Sequence, residues 1–188
     1  MPTDSQPQVN RLSDATIIQE FVDYQIRFVE QKSDWNSHSV CPFAKLGRQS
    51  GRIRYEVLEF SREACRDESG RFRQMVRAFA AQSHELVLLL IHPDRQAMSY
   101  SELEELIDVE LTPMLSSLGL EAFSGHPEHP LNIRGVHLRR EPFVTLQLIR
   151  QRVSHRATQG LYQRNYFEGW SDEALQYAAA HSAGYQTT

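Results

Sequence analysis

The sequence predicts an α/β fold, with α+β as the alternative: one domain with a small central sheet of three to five strands and flanking helices. Three observations carry this expectation. Strand, helix, strand, helix, strand alternate between Ile53 and Phe123, a pattern that favours crossover connections. The run LVLLLI at Leu86 to Ile91 is short, continuous and apolar, as a strand covered on both faces should be. A length of 188 residues with 40% hydrophobic content suffices for one sizeable core. The globular part is expected over 14–182, between flexible tails at 1–13 and 183–188.

Ser13 is a candidate N-cap, and Ile18, Phe21, Val22, Phe28 and Val29 at helical spacing place a first helix from Asp14 to about Gln31. Ser33 to Arg48, with Trp35, His38 and CPFAK at Cys41 to Lys45, reads as a structured loop or a short helix. Ile53, Tyr55 and Val57 alternate as in a strand with one fully buried face. Phe72, Met75, Val76 and Phe79 mark an amphipathic helix ahead of LVLLLI. Ser99 or Ser101, with an acid three residues on, offers a capping box for a helix that keeps its period to Gly119, with Pro113 expected to kink it.

Leu120 to Phe123 is short enough for a strand that leads into the histidine block. After Pro142, the spacing of Phe143, Leu146, Ile149 and Val153 fits a helix face, and a strand over Phe143 to Ile149 stays open. A last helix, capped by Ser171, spans roughly Asp172 to His181.

A net charge of −4 argues against a general nucleic-acid binder. No stretch approaches the roughly 18 apolar residues that a membrane span needs. The first ten residues lack a basic-then-apolar pattern, so a cytoplasmic setting is expected. Two cysteines, Cys41 and Cys65, are too few for a disulfide framework. Arg replaces Lys almost everywhere, which codon bias in a GC-rich bacterial genome explains as readily as selection for bidentate anion recognition.

The chemistry concentrates in GHPEHPLNIRGVHLRREPFVTLQLIR, Gly125 to Arg150, with three histidines, four arginines and three prolines. Polarity flips there: Gln96 to Ile133 holds seven acids and no Lys or Arg, whereas His129 to Phe167 holds seven arginines and one acid, Glu141. His126 and His129, with His38 and Cys41, supply two pairs at ligand-like spacing that would close a tetrahedral zinc site. One histidine could instead ligate heme iron while Arg134, Arg139 and Arg140 pair with propionates. The bland alternative is a rigid loop shaped by the prolines and Asn132, its histidines bonded to backbone. Cys41 is a candidate nucleophile with His38 or a histidine of the later block as base, against the commoner inert buried thiol. Arginines interleaved with Tyr162, Tyr166, Phe167 and Trp170 resemble RNA-binding composition, and solvated helix faces beside a Tyr-rich turn explain them better.

CPFAK at Cys41 to Lys45, His92 with Pro93, and the two halves of the block from Gly125 to Arg150 together resemble bacterial proteins of the YqcI/YcgG family and related CPF families. The likeness runs in order from about Ser39 to Val153. A second histidine at 129, the RGV at Arg134 to Val136 and the Tyr-rich C-terminal segment depart from it. The resemblance implies a heme-dependent oxygenase or oxidase acting on a small, amino-acid-derived nitrogenous metabolite in a bacterial natural-product pathway. It puts His126 forward as the axial ligand and Arg140 as an anion contact; with heme b bound there, His129 or His38 is the expected distal acid-base group. It also implies a small-molecule substrate and an electron donor. The rival is a zinc-stabilised or cofactor-free small-molecule binding protein, and a homodimer through an open sheet edge is a further expectation.

Overall fold

Ser13 starts the first helix by accepting the Thr16 N–H at 3.2 Å, and α1 (Asp14–Tyr24) follows with Ile17 and Phe21 buried. This computed structural model describes residues 12–32 and 38–181, so Trp35 and most of both expected tails lie outside the described residues. The first helix widens into a π turn (Gln25–Val29) that carries Gln25 into the interior. After the CPF loop come α2 (Ala44–Gln49), β1 (Ile53–Val57), α3 (Arg62–Arg66), α4 (Arg71–Ala81) and β2 (Val87–Ile91).

The capping box belongs to Ser99: its hydroxyl accepts the Glu102 N–H, and the Glu102 carboxylate accepts the Ser99 N–H at 2.7 Å. It opens α5 (Tyr100–Glu105), which passes through a second π turn (Leu106–Leu111) into α6 (Thr112–Ser117). The expected disturbance at Pro113 takes the form of that turn, because proline lacks an N–H and its ring crowds the carbonyl four residues back. Then follow β3 (Leu120–Gly125), the hairpin of β4 (Asn132–Ile133) and β5 (Val136–His137), β6 (Thr145–Arg150), α7 (Gln151–Tyr162) and α8 (Asp172–His181). Ser171 caps α8 through the Ala174 N–H, as expected.

The main sheet has the order β1-β2-β6-β3, with β1 and β2 parallel and β6 antiparallel to both neighbours. This is the expected α/β domain with a small mixed sheet. Phe143 to Val153 is not a continuous helix: β6 fills the middle of the sheet and helix begins only at Gln151. An interior strand is apolar on both faces, so period-two alternation is masked and a helical spacing emerges by coincidence. β1 lies at an edge, and Ile53 and Tyr55 are only partly buried, short of the fully covered face expected.

The two faces of the sheet differ in cover, and that difference makes the site. Leu88, Leu90, Leu146, Leu148 and Leu120 pack against Phe79 of α4 and the α5 to α6 segment in the main core. Burial of such side chains contributes about 1.5–3 kcal/mol each. On the opposite face α1 covers only the β1 and β2 side, where Ile17 and Phe21 meet Val57, Leu89 and Ile91. Across β6 and β3, Gln147, Ile149 and Phe123 face open space.

Candidate functional site

That space is a cavity of about 730 Å³, floored by the sheet and walled by the first helix, α2 and α7. Its volume lies within the usual range for small-molecule sites, roughly 300–1,000 Å³. The floor contains the cross-strand row Leu89, Gln147 and Phe123, while Phe43 and Leu46 of the α2 segment and Val153 and Leu161 of α7 supply apolar walls. The wall on the CPF side is pinned by a bidentate pair, Arg48 to Glu30 at 2.7 and 2.8 Å. Gln25 accepts the Tyr55 hydroxyl at 2.6 Å and donates to the Ala44 carbonyl, which ties the π turn to the sheet and to α2. Burial pushes the Tyr55 phenol up to about 12.

Polar groups gather where β3 ends and β6 begins. Arg139 donates from Nε to the Ser124 carbonyl at 2.7 Å and lies over the Phe123 ring at 5.4 Å from its centroid. Glu141 receives the Thr145 hydroxyl and occupies the volume that a side chain at Gly125 would fill. Gly125 and Thr145 are cross-strand partners, so the carboxyl sits in a slot made by an absent Cβ. Burial pushes the Glu141 carboxyl well above the ordinary carboxylate range, opposed by the positive charge of Arg139 and by the Thr145 hydroxyl. The Tyr24 hydroxyl is buried without a partner among the described residues, and burial, with help from Glu141, raises its pKa.

A carboxyl whose pKa is raised on folding stabilises the native state most below its unfolded pKa, and that contribution fades as pH climbs to the folded value. Glu141→Gln is therefore expected to flatten the fall in stability above about pH 5 and to gain on the unaltered chain at about pH 8. Urea midpoints at the two pH values check this. An unchanged difference between them would refute the assignment.

The histidines go elsewhere. His126, 3% exposed, accepts the Glu128 N–H at Nδ1 and meets the Met98 carbonyl at Nε2, both at 3.0 Å. His129 accepts the Leu131 N–H at Nδ1 (3.1 Å) and meets the Tyr177 hydroxyl at Nε2 (3.0 Å). His92 accepts the Asp94 N–H at Nδ1 in the same way. In all three His-Pro turns the proline has no N–H, and the ring takes the N–H of the residue that follows it. Ligation of a metal by His126 would have to displace its contact with the Met98 carbonyl or with the Glu128 N–H. His129 and His38, expected as distal acid-base groups, do not line the cavity; His38 bonds the Arg164 carbonyl at 3.2 Å and packs on Tyr166.

Of the three arginines expected to hold negative charge, Arg139 reaches the cavity wall. Arg134 and Gly135 both have positive φ and form the two-residue turn of the β4–β5 hairpin, and the Arg134 guanidinium packs on Gly169. Arg140 is exposed and points back to the His129 carbonyl at 3.4 Å. Cys41 does line the cavity, with its thiol pushed up by burial against hydrogen bonds from the Phe43 and Ala44 N–H groups. A thiol in that state is a poor nucleophile at neutral pH. Cys65 is buried and burial raises it to about 12.

Among the described residues no group of three or more His, Cys, Asp or Glu side chains is placed to hold a metal ion, so the tetrahedral set of His38, Cys41, His126 and His129 is not assembled. No helix among them is long and apolar enough to cross a membrane. The aromatic rings after α7 pack on one another, with Phe167 at 5.3 Å from Tyr166 and 5.0 Å from Trp170, and Tyr166 donates to the Val40 carbonyl. Sequence reasoning missed Glu141 and Gln147 as cavity residues. One signal pointed to Glu141, the sole acid between His129 and Phe167. No protein family, curated protein or solved structure matches this chain.

Proposed function

We propose that this protein binds an amphipathic small molecule in the sheet-floored cavity, without needing a cofactor. The observation that carries this reading is the uneven cover of the sheet: an apolar volume of about 730 Å³ with its polar groups, Arg139, Glu141 and Gln147, brought together by β6 and the ends of its neighbours. A few fixed polar groups in an apolar wall orient a ligand, while the walls supply affinity through burial. The heme oxygenase implied by the family resemblance needs an axial ligand, and His126 would have to give up its Met98 carbonyl contact to supply one from Nε2.

Titration with the neutral fluorescent reporter N-phenyl-1-naphthylamine tests the reading on the full chain. Saturable binding at one site is expected, and Ala157→Trp, which places an indole in the cavity from α7, is expected to weaken it by about tenfold. Equal binding by both proteins would locate the reporter elsewhere and defeat the proposal. Hemin addition separates the two classes of function: a stoichiometric Soret shift would overturn the cofactor-free part.

A further inference from the structure

The geometry points to an amphipathic monocarboxylate as the ligand class, its carboxylate received by Arg139 and its apolar body laid along the sheet floor, an inference that rests on the binding reading above. Arg139 is held at one end only. Its Nε is engaged by the Ser124 carbonyl and its plane rests on Phe123, which leaves both terminal nitrogens without a hydrogen-bond partner among the described residues. A guanidinium fixed in orientation, with its outer edge open to an apolar cavity, is arranged for bidentate recognition of a carboxylate.

The neighbours decide between an anionic head and a cationic or zwitterionic one. Glu141 is the one acid on the cavity wall, and it already takes the Thr145 hydroxyl. Enclosure favours its neutral form, in which it offers an O–H rather than a second charge. Gln147 on the floor adds a further donor. The groups that bear electrostatically on Glu141 and Arg139 from the surrounding elements are Tyr24, Cys41 and Tyr177, all with protonation favoured by burial. The other cation on the wall, Arg52, is exposed beside the edge strand β1. Net positive charge with surplus donors matches a carboxylate. It opposes an amine.

Four ligands of one chain length test this on the unaltered protein: octanoate, octanol, octylamine and 2-aminooctanoate, each displacing N-phenyl-1-naphthylamine. At about pH 6 octanoate is expected to bind at least about tenfold more tightly than octanol or octylamine, and more tightly than 2-aminooctanoate. Its affinity should fall as pH rises and Glu141 ionises, and E141Q should remove that fall. R139Q is expected to cut octanoate affinity about tenfold more than octanol affinity. Octylamine or 2-aminooctanoate binding more tightly than octanoate, or equal binding by all four, would overturn the inference while leaving the binding reading intact. No displacement by any of the four would overturn the inference alone, and no reporter binding would remove both. If R139Q does not fold, the ranking of the four ligands decides.

Discussion

Arg150→Met is expected to lower the stability of the protein by about 4 kcal/mol, the largest single effect anticipated for any side chain of the block from Gly125 to Arg150. Arg150 is 8% exposed and closes β6, and its guanidinium reaches across the main core to the end of α4. There it donates to the Phe79 carbonyl at 2.8 Å, the Ala80 carbonyl at 3.2 Å, the Glu85 carbonyl at 3.4 Å and, closest of all, the Gln82 carbonyl. The terminal carbonyls of a helix have no partner within the helix, and its dipole places partial negative charge at that end. One planar cation therefore satisfies several orphan acceptors and complements the dipole. Methionine fills the space and satisfies none of them. Lysine keeps the charge, yet a single ammonium cannot span the same set, so Arg150→Lys should lose about half as much. Thermal and urea unfolding check both; a loss below about 1 kcal/mol for Arg150→Met would show that water replaces the guanidinium freely.

Gly125→Ala is expected to cost about 2 kcal/mol and to abolish ligand binding, because the added methyl overlaps the Glu141 carboxyl and the Thr145 hydroxyl. The strand pair leaves no room for retreat: Gly125 and Thr145 face each other across the β3 and β6 ladder. The carboxyl must then leave its slot, lose the Thr145 hydroxyl and enter the cavity. Removing the acid should relieve the conflict. In a double-mutant cycle, Gly125→Ala in the background of Glu141→Ala should cost at least about 1 kcal/mol less than in the unaltered chain. Strict additivity would mean that the two positions do not share the space.

Much of the scaffold was readable from residues alone, for local reasons. Ser13, Ser99 and Ser171 cap helices through their own hydroxyls, and LVLLLI supplies an interior strand, Val87–Ile91, whose apolar side chains point to both faces of the sheet. β6 was ambiguous, since Leu146 and Leu148 enter one core while Phe143, just before the strand, enters the other. Of the site residues that the sequence put forward, Cys41 and Arg139 line the cavity. Histidine drew attention as the usual ligand and base, yet His92, His126 and His129 serve turns, each taking an N–H that the adjoining proline cannot replace. The acid that matters, Glu141, becomes visible once Gly125 and Thr145 are seen to pair, a relation between positions twenty residues apart.

The strand order has a consequence for the making of the chain. β6 lies between β2 and β3 but is synthesised after both. Until Thr145 to Arg150 leave the ribosome, β2 presents VLLLI with one edge open, and β3 has no neighbour in the sheet. Such a strand is the kind that pairs with other chains when it waits exposed. Part of the cavity floor, Gln147 and Ile149, arrives in the same closing step. A nascent chain halted before it would hold an adhesive strand and no binding site.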